Sequence, residues 1–475
     1  MREFWSLLLF IPCGLVFAQA VATIGPANSL ASSIAAVPSG GQIVLAAGVY
    51  PITAMISRTT PITIKCSAGA VIESDIVWLS LSDKAAGSSI TGCDFEPAAA
   101  YAEPCTADQV HAGTCTAIPV TINRCGGSNA IYGCPSSGDT IGYEPSINDA
   151  DIWTGCRFAH CLSPEQIKFA IKYPGPGINI FVNKVTVSNN TGNRLVINFA
   201  GSDETAIGNT YVGGGAVFAC LADTNFGGKQ GLTGVNFSNN HIRDCNVSGI
   251  AIGNTYGAKI TNNFLDHNGE APIKIWSPFD SWGNVGFIIS SNEGSYNYQG
   301  GADLEAEDPG PPPYPTTNGT ITNNNFSYNG VPGNNSTGII STGNGNMITG
   351  NTTNFNACGG LVHSGDNSNV SGNKVQHNFP NGYSDCSIQV DLPVYGKMVL
   401  TSGNRVIAGG FYGEQHGRGG TYVSIGDTVI GRTFNNGDPA LMVEIGDSDA
   451  EGPRPNHGLD QILFLSPQPF FFQSK

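Results

Sequence analysis

The chain has 475 residues, only 12% of them charged, with 63 glycines and 21 basic against 36 acidic side chains for a net charge of −15. That length allows a large buried core, and the scarcity of charge leaves Asn, Ser and Thr to solvate the surface. No basic stripe is present, which excludes a nucleic-acid-binding surface.

Residues 1–20, MREFWSLLLFIPCGLVFAQA, combine one Arg, an apolar run and the small-x-small end Ala18-Gln19-Ala20. This pattern predicts a secretory signal cleaved before Val21, and Ile11-Pro12 ahead of Cys13 do not make a lipobox. No later apolar stretch is long enough to span a bilayer, so no membrane insertion is expected. Cys13 aside, twelve cysteines follow, an even number that in an exported protein predicts disulfides.

Residues 27–37 place Leu30, Ile34 and Val37 at helical spacing and stop at Pro38-Ser39-Gly40-Gly41. A short helix there would cover the open strand edges at the start of the fold. The next run, GQIVLAAGVYPI, begins strands.

Farther on, one phrase keeps returning: an apolar residue, Ser or Thr, a small residue, then Asn. It ends at Asn190, Asn240, Asn263, Asn292, Asn324, Asn351, Asn373 and, with a looser start, Asn404. Successive differences are 50, 23, 29, 32, 27, 22 and 31, and the 50 reads as two units of 25. A drifting period of this size, rich in Val, Ile, Asn and Gly, predicts stacked solenoid coils. Coils about 4.8 Å apart let Asn side chains bond up and down a column at a corner, where Asn also tolerates a left-handed backbone. ITGCDF and WTGCRF carry Cys93 and Cys156 in the same slot. The Pro-, Cys- and Gly-rich stretch between them, about 99–148, is expected to be a loop insertion.

The run AVPSGGQIVLAAGVY followed by these coils resembles the opening of right-handed parallel β-helix proteins of the pectin-lyase-like superfamily, over roughly residues 25–410. The resemblance implies an all-β fold, a right-handed parallel β-helix with an N-terminal capping helix and a C-terminal cap. Residues 21–409 would form the helix and 410–475 the closing strands, where the ladder phrase is lost. That superfamily includes lyases, hydrolases, epimerases, adhesins and scaffolds, so function has to come from the site. The polygalacturonase and pectate-lyase phrases are not found, and no catalytic residue is carried over from either.

Period-two alternation in the strand after each ladder phrase points Ile250, Ile273, Ala302, Ile339, Leu361 and Ile388 inward. It points Ala251, Lys274, Asp303, Ile340, Val362 and Gln389 outward. Glu305 and Asp391 fall on the outward face two residues beyond Asp303 and Gln389, with Trp276 beside Glu305. The segment 307–315, EDPGPPPYP, is expected to form a stiff acidic loop. Lys274, Asp303 and Glu305 are therefore the candidate catalytic residues, and Trp276, His267, Glu270 and Asp391 the candidate substrate contacts. An aromatic ring beside paired carboxylates suits a sugar and its acid–base cleavage. Asp303, Glu305, Glu307 and Asp308 form an oxygen-rich set that could take calcium, although no cofactor is required. In a lyase, Lys274 could act as base, against the pull of its acidic neighbours. Set against this, Lys274–Asp303 is also what an ordinary surface ion pair looks like, and His363 reads as a core residue.

The expected partner is a polysaccharide, neutral or weakly charged given the net charge of −15. Two readings stand at this stage: an exported glycoside hydrolase or polysaccharide lyase, and a non-catalytic extracellular glycan-binding or adhesin-like rod.

Overall fold

The computed structural model describes residues 20–98, 120–121, 140–141 and 177–453, apart from 213–216, 221–231, 277–283, 305–315, 331–336, 379–389, 408–411, 437–440 and several one- or two-residue gaps. The predicted signal segment lies outside the described residues.

The chain winds as a right-handed parallel β-helix with three faces. Sheet A runs from Val21–Ile24 to Leu441–Ile445, sheet B from Gly48–Ile52 to Gly452–Pro453, and sheet C from Ile56–Arg58 to Phe434–Asn436. One coil visits them in turn, for example Lys259–Thr261 in A, Phe264–Asp266 in B and Ile273–Trp276 in C. Every pairing within the three sheets is parallel except the last, where Ser448 lies antiparallel to Pro453. Ile43, Ile64, Phe95, Phe237, Ile260, Ile289 and Ile321 are among the side chains stacked in the continuous interior.

The helix forms at Leu30–Ala36, with Ser29 capping its first turn and Leu30 and Ile34 buried. Arg58, from the first strand of sheet C, turns inward and donates to the helix-end carbonyls of Ile34 and Val37, both at 2.8 Å. A guanidinium at a helix C-terminus satisfies orphan carbonyls and complements the dipole, so this contact fixes the cap to the first coil. A disulfide between Cys66 and Cys93 ties neighbouring coils just above it.

The Asn column is a ladder. Each Asn sends its backbone N–H and one side-chain N–H to the Oδ1 of the Asn one coil on, and its other side-chain N–H to a carbonyl one coil back. For Asn263 these are Asn292 Oδ1 at 3.0 and 2.9 Å and Phe237 O at 3.0 Å. The 50-residue step is not two units of 25, because Asn209 supplies the missing rung, splitting it into 19 and 31. Ile207 replaces the usual Ser or Thr in that phrase, which hides it. The left-handed residue is the one before the ladder Asn: Asn189, Asn239, Asn262, Ser291, Asn323, Gly350, Gly372 and Gly403 have φ between 53° and 66°.

Three expectations about extent are corrected. Cys93 does occupy the column, donating to Asn190 Oδ1 at 2.9 Å. Asn190 is therefore the rung after Cys93, Cys156 lies outside the described residues, and the segment 97–176, which includes the expected 99–148 insertion, separates the sheet B and sheet C strands of one coil. Within it, Val120–Thr121 pairs with Thr140–Ile141 apart from the three sheets. At the other end the coils do not stop at 409. Asn404 donates to Asp427 Oδ1, and Asp427 donates to Asp447 Oδ1 at 2.8 Å, so the ladder continues with carboxylates in place of amides. Finally, Val394 lies opposite His363, which places Leu392 rather than Ile388 beside Leu361. The strand is Val390–Tyr395, and Pro393 within it masks the pattern because Pro lacks the donor an interior strand uses.

Candidate functional site

The outward row on sheet C follows the alternation argument over five coils. Ala251 lies opposite Lys274, Lys274 opposite Asp303, Asp303 opposite Ile340, and Ile340 opposite Val362. The inward residues Ile250, Ile273, Ala302, Ile339 and Leu361 are all buried. Lys274 Nζ stands 3.7 Å from Asp303 Oδ2, with the two side chains 16% and 27% exposed. The row closes in on both sides of the pair: Ala251 and Val362 face outward yet are buried. A charged pair held in a partly enclosed strip between apolar neighbours is better shielded from solvent than a pair on an open face.

The remaining predicted site residues are placed as follows. Trp276 ends the Lys274 strand opposite Gly253, and its side chain lies outside the described residues, as do Glu270, Glu305, Glu307, Asp308 and the loop 307–315. Asp391 is not an exposed partner of the pair: it is 1% exposed and, with the strand lying four residues later than the pattern suggests, it stands opposite Gly360 rather than beyond the pair. His363 is a core residue as read, fully buried, with burial pushing its imidazole down to about 4.

His267 belongs to a different surface, the corner between sheets B and C. Its Nδ1 lies 2.9 Å from Asp266 Oδ2, and His241 Nε2 approaches the other oxygen of Asp266 at 3.4 Å. Its ring stacks on Tyr296, and the stack continues through Tyr328 and Phe355 to His377, with centroids 5.1, 5.5, 5.2 and 5.3 Å apart. All five rings are exposed, and all five residues have left-handed backbone, φ 51–60°.

Beneath them runs a second Asn ladder, Asn268, Asn297, Asn329, Asn356 and Asn378, joined by the same bonds as the first. Sequence reasoning missed both features. Their signal is present as Asn-x-x-x-aromatic/His-Asn in five consecutive coils, NFLDHN, NEGSYN, NNFSYN, NTTNFN and NKVQHN, each starting at a ladder Asn.

No family model matches the chain, and no curated protein matches it. Solved structures do. The receptor-binding protein of bacteriophage Det7, a tailspike, superposes with a TM-score of 0.58 at 13% identity over 89% of this chain and 76% of that one. The Siphovirus 9NA tailspike receptor binding domain gives 0.53 at 13% identity over 92% and 78%. The A-module of the Azotobacter vinelandii mannuronan C-5 epimerase AlgE6 gives 0.44 at 12% over 91% and 94%. The likeness is one of fold. It shows the parallel β-helix and leaves the chemistry to the side chains.

Proposed function

We propose that this is an exported β-helix protein that binds a polysaccharide and cleaves it on the outer face of sheet C. The observation that carries the reading is the Lys274–Asp303 pair, set by register on adjacent coils at 3.7 Å and half enclosed by apolar neighbours. In a chain with so few charges, an ammonium and a carboxylate there supply a hydrogen-bond donor to a sugar oxygen and an acid–base group. Glu305 would be the second carboxylate and Trp276 the ring against a pyranose face. Two tailspikes share the fold, one described as a receptor-binding protein and the other as a receptor binding domain, which agrees with a glycan partner. Export rests on the signal-like first twenty residues, and the first strand opens directly after them at Val21.

Calcium at Asp303, Glu305, Glu307 and Asp308 belongs to the same proposal. Among the described residues no group of three or more metal-ligating side chains is assembled, and Asp303 is engaged by Lys274, so no step is routed through the ion. A rise in Tm on adding calcium that Asp303→Asn removes would establish it.

The second reading, glycan binding without cleavage, is favoured by the apolar outward row, where Ile340 and Val362 follow Asp303 directly. A polysaccharide panel assayed for new reducing ends and for unsaturated-uronate absorbance separates hydrolase, lyase and binder. Asp303→Asn is expected to lower turnover about a hundred-fold or more. Unchanged turnover in that variant would remove Asp303 from the site.

A further inference from the structure

In five consecutive coils two corners carry a left-handed residue just before a ladder Asn, and they are filled very differently. At the A–B corner the position holds Asn, Ser or Gly, residues that accept this backbone at low cost or no cost. At the B–C corner, five coils running, it holds His267, Tyr296, Tyr328, Phe355 and His377, and for the three bulky Tyr and Phe side chains such a backbone is an outlier. The fold therefore has a cheaper solution and uses it one strand away. Burial does not repay the difference, since Tyr296, Tyr328 and Phe355 remain 56%, 47% and 40% exposed. Stacking offsets part of it, but the rings leave a continuous exposed aromatic ridge along one corner.

We propose that this ridge is a second glycan-contact surface, which takes an extended neutral polysaccharide chain lying parallel to the solenoid axis. The middle rings have both faces occupied by their neighbours, so they present edges, the positive rim of the aromatic quadrupole, and two phenol hydroxyls to an approaching ligand. Electron-rich sugar oxygens suit those edges, and the ring at either end can offer a face to a pyranose. Alongside, the outward positions of sheet B form straight rows of hydrogen-bonding groups in register with the rings. One is Ser295, Ser327, Asn354 and Gln376, in which Ser327 is buried and bonded to its neighbours Asn325 and Asn354, and another runs Glu293, Asn325, Thr352 and Lys374. A linear polymer with a hydroxyl-rich edge matches a strip that repeats at every coil, whereas a polyanion meets a chain of net charge −15. The inference rests on the glycan reading above and not on the Lys274–Asp303 pair.

The test is retardation of the full chain in native gels containing hydroxyethyl cellulose, dextran or glycogen, with alginate as the acidic comparison. The unmodified protein is expected to be retarded by at least one neutral polymer, and Tyr296→Asn with Tyr328→Asn to weaken that retardation roughly ten-fold. Asn suits the left-handed backbone, so this variant is expected to keep its Tm. Tyr296→His with Tyr328→His, which copies the ring type at both ends of the stack, is expected to recover most of the binding. Asp303→Asn should keep full retardation while losing turnover, which separates failure of this inference from failure of the cleavage site. The inference is overturned if no neutral polymer retards the protein, if the Asn double variant binds as the parent does, or if Asp303→Asn alone abolishes retardation.

Discussion

The middle coils and the last coils are the same fold held by different chemistry. From Asn240 to Asn373 the first ladder is made of amides, and among the described residues no buried Asp or Glu shares that stretch of the interior. In the final coils the rungs are Asp427 and Asp447, and the interior around them holds Glu414, Glu444 and His416, all buried. An amide column satisfies itself, because every rung has both donors and an acceptor. A carboxylate rung has no side-chain donor unless it carries a proton. The comparison teaches that a ladder can be continued with Asp at the cost of making the end of the rod sensitive to protons.

The structure shows how the acids are arranged. Asp427 accepts from Asn404 through Oδ1 and from the Ser424 hydroxyl at 3.0 Å through Oδ2. Burial, and then the charge of Glu414, push it up to about 8. Burial also raises Asp447, against bonds from Ser424 and Asp427, with Glu444 raising and His416 lowering it. His416 Nε2 stands 3.1 Å from Glu414 Oε1. Thr401, Ser424 and Glu444 face this space from sheet A, and Glu414 and His416 from sheet C.

The largest expected effect lies in the amide region. Asn292→Ala removes the acceptor for two donors of Asn263 and the donors to Asn324 Oδ1 and Ile260 O. Stranding several buried polar groups is expected to cost about 3–5 kcal/mol in urea denaturation. A loss under about 1 kcal/mol would mean that the ladder is replaceable by water and that the contrast between the two regions is false.

The next effect is a pH dependence confined to the ends of the ladder and absent from its middle. A carboxyl whose folded value is raised contributes stability that is fully present below the unfolded value of about 4 and is lost as pH rises through the folded value, here about 8 for Asp427. Amide hydrogen exchange is therefore expected to speed up over residues 421–445 between pH 5 and 9, beyond its intrinsic increase, while residues 240–373 keep their protection. Glu204, buried and pushed by burial to about 9, is expected to add a second response of similar size near the start of the ladder. Equal loss of protection across the rod would erase the distinction.

The smallest effect sharpens it. Asp427→Asn restores an amide rung and is expected to be neutral at pH 4 and stabilising by about 1–3 kcal/mol at pH 9, read as the difference in Tm from the parent at each pH. Destabilisation at both pH values would show that the acid, with its proton, is required by its neighbours.

Much of this was legible in the sequence because a parallel solenoid is nearly one-dimensional: position along the chain, counted from each ladder Asn, predicts position in space. That is why Lys274 and Asp303, 29 residues apart, could be placed side by side before any coordinates. The same counting failed at Asp391, where Pro393 disguised the strand, and beyond 409, where Ile-Gly-Asp stands for Ser-Gly-Asn. His267, a candidate substrate contact close in sequence to Lys274, instead has Asp266 and Tyr296 as its partners on the other side of a corner.

By itself, then, the sequence determined the winding, most rungs of the first ladder and the inward or outward side of most strands, since these follow from local periodicity and backbone preference. Only the tertiary structure decided which corner residues take the left-handed backbone, that five rings stack on exposed left-handed positions, and that the last coils enclose four carboxyl groups. Those properties depend on what the adjoining coil places against each side chain, and no single stretch of chain contains that information.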